Sequence, residues 1–179
     1  VDVVLQGYGS VGNDVLGAGL PGFATDLTQR QQDVARARAV LAAKGVTELG
    51  LLVGELTSGL TAASQLLVQQ LADVGVTVTV TSADPATMFN DLQPMFRTQI
   101  LSSFVVNRPV ATSLPTYTGS QSPYSFSGWG TDDYQSLLMT AQTSVDPAAR
   151  AQALDAAQHL LWDQGGDLLW GYKTNLDAA

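Results

Sequence analysis

The sequence contains no cysteine and only one histidine, His159, among its 179 residues. Thiol catalysis, cysteine-ligated zinc sites and disulfide bonds are therefore excluded, and a metal site with several histidines cannot form. A Ser-His catalytic triad would have to use His159, which no serine motif accompanies. Asp155 precedes His159 by one helical turn, so we expect these two side chains to pair on a helix surface.

Charged residues are also scarce, at 13% of the chain, and they sum to a net charge of −8 with a pI near 4.2. Nucleic acids and anionic membranes favour basic surfaces, so we expect neither as a partner. No apolar run approaches the roughly 18 residues that a membrane-spanning helix needs. The hydrophobic content of 45% is ample for a packed core, and the length indicates about one domain.

Hydrophobic periodicity predicts alternating helices and strands in the first two thirds of the chain. Helices are predicted at 34–44 and 60–74, and strands at 48–56, 76–81 and 99–106. The first two strands and the helix between them form a βαβ unit, which we expect to be parallel. The predicted fold class is therefore α/β, with a mixed β-sheet around this unit flanked by helices.

The remaining segments are predicted from caps and breakers. Asp84 and Pro85 indicate a short helix that continues through Leu92. The stretch 107–130 is rich in proline, glycine, serine and threonine and predicts a long loop, which in a compact domain is often functional. The last third is predicted to be helical, with helices starting after Thr131 and at Asp146, followed by a final strand at 168–172.

The segment Gly7 to Gly12 matches the dinucleotide-binding fingerprint G-x-G-x-x-G, and residues 1–5 could supply the strand that must precede it. In that fingerprint a helix starting at the third glycine holds the pyrophosphate. The density of glycine and proline after Gly12 disfavours such a helix. An ordered glycine-rich loop over 1–32 is the favoured interpretation, and a small NAD-binding enzyme domain is the alternative.

Five segments, spread in order over nearly the whole chain, together resemble one protein family. Residues 33–45 resemble its "D-x-x-x-A-x-x-L-L-x-x-A-G" helix, and residues 127–138 resemble its "s-G-y-x-n-x-x-y-D-x-L-L" segment. The other three matching segments are 62–78, 84–89 and 146–161. The family comprises the extracytoplasmic solute-binding proteins of the peptide, oligopeptide and nickel class, which serve ABC importers. The glycine motif is similar to a loop of these proteins, which accounts for it without a cofactor.

The resemblance implies a two-lobed protein that binds a peptide or another small solute without covalent chemistry and closes on it. Residues 1–179 are expected to be its C-terminal ligand-binding lobe, a periplasmic-binding-protein-like lobe excised from a longer chain. The implied partners are the ligand, the other lobe and an ABC permease. We expect a monomer that is extracytoplasmic, either periplasmic or a cell-surface lipoprotein, and no catalytic residue, metal or cofactor. A lobe that only docks on the permease is a further alternative.

In this family the segment after the third strand contributes to the ligand cleft. Here it lacks the Trp and the acidic group that many members carry, and this departure argues against a peptide-specific site. Arg108 is a candidate because a guanidinium forms paired hydrogen bonds with carboxylate or phosphate oxygens, and Asn107 is a candidate beside it. Three aromatic residues are further candidates because they could stack on apolar ligand groups, although they could equally pack in the core: Phe104, Phe126 and Trp129. Tyr8 and Asn13, in the glycine-rich loop over 1–32, are the remaining candidates.

Overall fold

The computed structural model describes residues 1–174, which separate into two compact units. The first unit comprises residues 1–2, 6–30 and 106–174. The second comprises residues 3–5 and 31–105. Within residues 1–174 every helix is too short or too polar to span a lipid bilayer.

The second unit contains a three-stranded parallel sheet. Its strands are β2 (Glu48–Val53), β3 (Thr77–Ser82) and β4 (Ile100–Ser102), in the order β3-β2-β4. The helix α3 (Leu60–Asp73) connects β2 to β3, so the predicted parallel βαβ unit is confirmed. β2 is the central strand, and its last three residues, Leu51, Leu52 and Val53, are buried.

The boundaries of the first long helix follow its caps. The helix α2 (Val34–Ala43) begins after Asp33, whose side chain accepts a hydrogen bond from the backbone nitrogen of Arg36. Gly45 follows its last residues with a φ of +66°, a conformation that glycine adopts without the strain of a Cβ atom. The helix predicted at 34–44 is therefore confirmed.

The short helix predicted from Asp84 to Leu92 is wrong in position. Residues 85–90 form turns, and the helix α4 spans Gln93–Arg97. The Asp91 side chain accepts a hydrogen bond from the backbone nitrogen of Gln93, and Pro94 occupies the first turn of α4. This second start signal, rather than Asp84, begins the regular helix.

The third strand is shorter than the predicted 99–106. β4 pairs with β2 only from Leu51 opposite Ile100 to Val53 opposite Ser102, where β2 itself ends. Without a partner strand, residues 103–109 continue as an irregular segment.

The predicted long loop at 107–130 contains a helix that the sequence analysis missed. The helix α5 spans Val110–Tyr117, and Val110 and Leu114 are fully buried. Pro115 lies inside this helix, and such a proline normally argues against one. The burial of its apolar side outweighs the proline, and the rest of the stretch, residues 107–109 and 118–130, is irregular.

Two longer helices complete the first unit. The helix α6 spans Asp132–Thr143 and is capped by Thr131, and α7 spans Pro147–Gln164 and is capped by Asp146, as predicted. Their apolar sides meet α5 in a core that consists of Val110, Leu114, Tyr134, Leu138, Ala157 and Leu161.

The opening residues differ in part from the prediction. Residues Asp2–Leu5 form the short helix α1, not the strand that a dinucleotide fingerprint needs, because no neighbouring strand pairs with them. The strand β1 (Gly9–Val11) pairs antiparallel with β5 (Gly171–Lys173), which starts three residues later than the predicted final strand. Residues 12–33 contain neither helix nor strand, as expected of an ordered loop.

Candidate ligand-binding site

Residues 12–33, called the opening loop from here on, contact the segment just before α5, and the contacting residues all belong to the first unit. The Asn107 side-chain amide donates a hydrogen bond of 3.1 Å to the carbonyl oxygen of Ala18. Next to it, Gly17 has a φ of +91°, and a Cβ atom there would lie 2.7 Å from a methyl carbon of Val110. Only glycine allows this approach, so the contact between the two segments is set by the backbone as well as by Asn107.

Arg108 lies at this junction with its side chain exposed. Its backbone carbonyl accepts a hydrogen bond of 2.9 Å from the Ser113 hydroxyl, which ties the residue to the first turn of α5. Among residues 1–174 its guanidinium has no hydrogen-bond or ion-pair partner. The backbone of Arg108 is therefore fixed while its donors stay available to an acceptor from outside.

Asn13 holds the opening loop together. Its side-chain oxygen accepts hydrogen bonds from the backbone nitrogen of Arg30 at 2.9 Å and from the Trp162 indole nitrogen at 3.2 Å. Its amide nitrogen donates to the carbonyl oxygen of Thr28 at 3.1 Å. Asn13 positions the loop through these three hydrogen bonds. A ligand could contact only the part of the Asn13 side chain that these bonds leave accessible.

A second set of contacts fixes the same loop through Arg30. Its Nε atom lies 2.6 Å from a carboxylate oxygen of Asp14, and its guanidinium carbon lies 4.4 Å from the centre of the Trp162 ring. Arg30 also donates a short hydrogen bond to the carbonyl oxygen of Trp162. The cation–π contact and the hydrogen bond thus fasten the loop to the end of α7, and the ion pair joins two residues within the loop.

The loop, β1 and Tyr172 line an open cavity of about 180 Å³ in the first unit. Pockets that hold a whole drug-sized ligand usually have 300–1,000 Å³, so this volume suits part of a ligand. The Tyr172 hydroxyl at its wall donates a short hydrogen bond to the carbonyl oxygen of Val15, and burial raises the pKa of this hydroxyl. The lining is mixed polar and apolar: Ser10, Val11, Asn13, Ala18, Phe23, Ala24, Thr25, Leu27, Gln29 and Tyr172.

The loop is further held by α7 through Gln158, which is fully buried. Its side chain accepts a hydrogen bond from the backbone nitrogen of Ala24 at 2.9 Å and donates to the carbonyl oxygen of Gly22 at 2.8 Å. The neighbouring His159 lies 3.3 Å from the Asp26 carboxylate and forms the expected pair with Asp155. The pKa of His159 is raised, chiefly by the hydrogen bond between its ring and the Asp155 carbonyl oxygen.

The aromatic candidates lie in different environments. Trp129 packs against the core of the first unit, with its ring centre 4.8 Å from that of Tyr134. Phe126 makes an edge-to-face contact with Tyr124 at 6.5 Å. Phe104, in the second unit, and Tyr8, in the first, are 45% and 56% exposed. Of the candidates, Asn107 and Arg108 thus lie at the contact with residues 17 and 18 of the opening loop, and Asn13 lies in the same loop with other partners.

Several positioning residues escaped the sequence analysis, namely Gln158, Arg30 and Tyr172. Gln158 could have been noticed, because it interrupts the apolar side of α7 between Leu154 and Leu161, and a buried amide there needs partners. Arg30 and Tyr172 carry no such signal, since Trp162, which Arg30 contacts, and Val15, which Tyr172 contacts, lie more than 100 residues away from them in the chain.

The dinucleotide-binding alternative is not supported by the environment of its glycines. No helix follows Gly12 in residues 12–33, so the backbone donors that would hold a pyrophosphate are missing there. A Cβ atom at Gly12 would lie 1.8 Å from the carbonyl oxygen of Leu169. This close backbone contact requires glycine without any ligand.

The sequence profile of the family described as "Bacterial extracellular solute-binding proteins, family 5 Middle" matches residues 1–157. The chain belongs to this family. The expected resemblance is confirmed, and the members of the family are binding proteins. None of the curated protein sequences is significantly similar to this family 5 chain.

Solved structures share the fold of this family 5 protein at low sequence identity. An ABC transporter substrate-binding protein, CtaP, from Listeria monocytogenes has a TM-score of 0.80 at 17% identity, over 96% of this chain and 37% of its own. NikZ from Campylobacter jejuni, in complex with Ni(L-His), has a TM-score of 0.79 at 14% identity, over 97% and 38%. A dipeptide-binding protein from Pseudoalteromonas sp. SM9913, in complex with Met-Leu, has a TM-score of 0.79 at 16% identity, over 96% and 36%. The α/β fold of the periplasmic-binding-protein class is confirmed, and the chain spans little more than a third of these structures.

Proposed function

We propose that the chain forms one wall of the ligand cleft in an extracytoplasmic solute-binding protein that serves an ABC importer. Membership of family 5 supports this function, as do the ligands of two proteins that share the fold, a dipeptide and a nickel–histidine complex. The other lobe and an ABC permease are the partners, the protein acts as a monomer, and it performs no covalent chemistry. Nucleic acid is not a partner.

The observation that carries the proposal is the junction of Asn107 and Arg108 with the opening loop. Asn107 is engaged with Ala18, which lines the cavity, while the neighbouring guanidinium is left without a protein partner. A planar guanidinium with a fixed backbone is suited to bind a carboxylate through two parallel hydrogen bonds. A guanidinium binds phosphate in the same way, and the carboxylates of Met-Leu and L-histidine in the two similar proteins favour a small solute with a carboxylate group as the ligand.

The size of the cavity supports a shared site. At about 180 Å³ it can take one group of such a solute, and the rest of the ligand is covered by the other lobe. Phe104, Phe126, Trp129, Tyr8 and Asn13 remain candidate ligand contacts. The isolated chain is expected to bind more weakly than the whole protein, because half the contacts and the closure are missing.

The test uses the full-length protein that contains this chain, purified without refolding. Native mass spectrometry should detect a retained solute, and small-molecule mass spectrometry should identify it as a carboxylate. In parallel, Met-Leu and Ni²⁺ with L-histidine are titrated as defined probes, with NAD as the negative control. A retained cation without a carboxylate, or saturable binding of NAD instead of the probes, contradicts the proposal. A full-length protein that binds no solute but binds the permease would favour a docking lobe.

A further inference from the structure

Three side chains with metal-binding groups converge on the outer side of α7. Asp155 and His159 lie one helical turn apart on α7, and Asp26 reaches them from the opening loop. The His159 Nε2 atom lies 3.3 Å from a carboxylate oxygen of Asp26, and its Nδ1 atom lies 3.7 Å from a carboxylate oxygen of Asp155. One ligand atom from each residue falls within 4.8 Å of the others.

The orientation of the imidazole ring favours metal binding at Nε2. The Nδ1 atom is 3.0 Å from the backbone carbonyl oxygen of Asp155, so in the neutral ring the hydrogen bond places the proton on Nδ1. Without a metal, the raised pKa of the ring favours a proton on Nε2 that pairs with the Asp26 carboxylate, and a cation bound there would replace this proton. Histidines that bind metals usually donate their other N–H group to a carbonyl or carboxylate in this way.

The distances fit a small tetrahedral cation. Bonds of about 2.0–2.1 Å from zinc to nitrogen and oxygen place neighbouring ligand atoms about 3.3–3.4 Å apart. The separation between His159 Nε2 and the Asp26 oxygen is 3.3 Å. The Asp155 carboxylate is 57% exposed, so it has room to rotate into the third position. An imidazole with two carboxylates favours zinc over magnesium or calcium.

We propose that Asp26, Asp155 and His159 form a zinc-type divalent cation site that fastens the opening loop to α7, with water as the fourth ligand. The site is separate from the Arg108 junction and does not depend on the proposed function. It also bears on the cavity, because Asp26 stands in the chain between Thr25 and Leu27, which both line the cavity wall. A bound cation restrains this part of the wall.

The single histidine makes the test unambiguous. The 179-residue chain, freed of any polyhistidine tag, is titrated with ZnCl₂ at neutral pH while the imidazole ring signals are followed by proton NMR. We expect one ion per chain, a shift of the His159 signals, and a melting temperature raised by about 2 °C or more at saturation. Isothermal titration calorimetry gives the dissociation constant.

The variants His159→Ala and Asp26→Asn should weaken zinc binding by about tenfold or more, whereas Asp163→Asn, on the same helix but outside the cluster, should not. Absence of a His159 shift overturns the site and leaves only an ion pair between helix and loop. Equal zinc affinity in His159→Ala and the parent chain also overturns it. Magnesium that binds as tightly as zinc would show a general acidic surface and would likewise contradict the proposal.

Discussion

The Asn107 amide donates a hydrogen bond of 3.1 Å to the Ala18 carbonyl oxygen and thereby joins two segments that are almost 90 residues apart. The contact sets the position of the Arg108 backbone beside the opening loop. Residues 103–109 have no regular secondary structure, and this hydrogen bond gives Asn107 and Arg108 a defined position in the candidate site.

Replacing Asn107 with aspartate tests this contact. A carboxylate would face the Ala18 carbonyl oxygen without a proton to donate, so we expect the free energy of unfolding to fall by about 1 kcal/mol. Urea unfolding at neutral pH measures the loss. The control is Asn90→Asp, an exposed site with the same change in charge and no side-chain hydrogen bond among those described. Equal losses in the two variants would show that Asn107 has no special role.

The glycine beside Ala18 allows a sharper test of packing. Gly17→Ala would place a Cβ atom 2.7 Å from Val110 and force a positive φ on alanine, whereas Gly19→Ala has a φ of +75° and open space around the new atom. We expect a loss of about 1 kcal/mol for Gly19→Ala and roughly 1–3 kcal/mol more for Gly17→Ala. Thermal and urea unfolding provide both values. If the two losses are the same, the loop does not pack against α5 as described.

Gln158 should be more important for stability than its polarity suggests. Gln158→Leu leaves the Ala24 backbone nitrogen and the Gly22 carbonyl oxygen without their partner, which costs about 2 kcal/mol or more. Gln152→Leu, an exposed position on the same helix, is the matched control and should change stability by about 0.5 kcal/mol or less. Hydrogen exchange should accelerate at the Ala24 amide in the first variant alone. Unchanged protection there would contradict the bond.

Because Tyr134 is buried, we expect the protein to lose stability at alkaline pH. Burial raises the pKa of its hydroxyl to about 12 from 10.0, and the hydroxyl lies 2.5 Å from that of Thr118. Since the folded state holds the proton more tightly, its contribution is complete below pH 10 and is lost as the pH rises towards 12. Linkage gives a loss of about 1.4 kcal/mol per pH unit in this range.

The measurement compares urea unfolding at pH 9 and pH 11 in the parent chain and in Tyr134→Phe. The variant lacks the hydroxyl, so it should lose about 1.4 kcal/mol less stability between these two pH values. All other ionisable groups are present in both proteins, so their contributions cancel in the comparison. An identical pH dependence would mean that Tyr134 is not protected from solvent.

Elements that depend on residues close together in the sequence could be predicted, and those that depend on tertiary contacts could not. Local signals sufficed for α2, α6 and α7, because Asp33, Thr131 and Asp146 cap them from adjacent positions. The βαβ unit was predictable because a short apolar run, an amphipathic helix and a strand of alternating hydrophobicity follow one another with short connections. The helix α5 was missed because Pro115 is a local signal against it, and the burial of Val110 and Leu114 is a tertiary effect.

The candidate site was predictable only in part for the same reason. Arg108 and Asn107 were chosen from the family resemblance and the chemistry of their side chains. Their junction with Ala18 depends on contacts between distant segments, which no local pattern contains. The roles of Gln158, Arg30 and Tyr172 in holding the loop likewise depend on the folded chain.

The central claim is that Arg108 binds a carboxylate of the transported solute. It is tested most directly by isothermal titration of the full-length protein and its Arg108→Ala variant with the retained solute. Arg97→Ala serves as the control, since this arginine is also exposed but lies at the end of α4. The account predicts that Arg108→Ala weakens binding by about tenfold or more, about 1.4 kcal/mol, with an unchanged melting temperature. An affinity equal to that of the parent protein and of Arg97→Ala would contradict it.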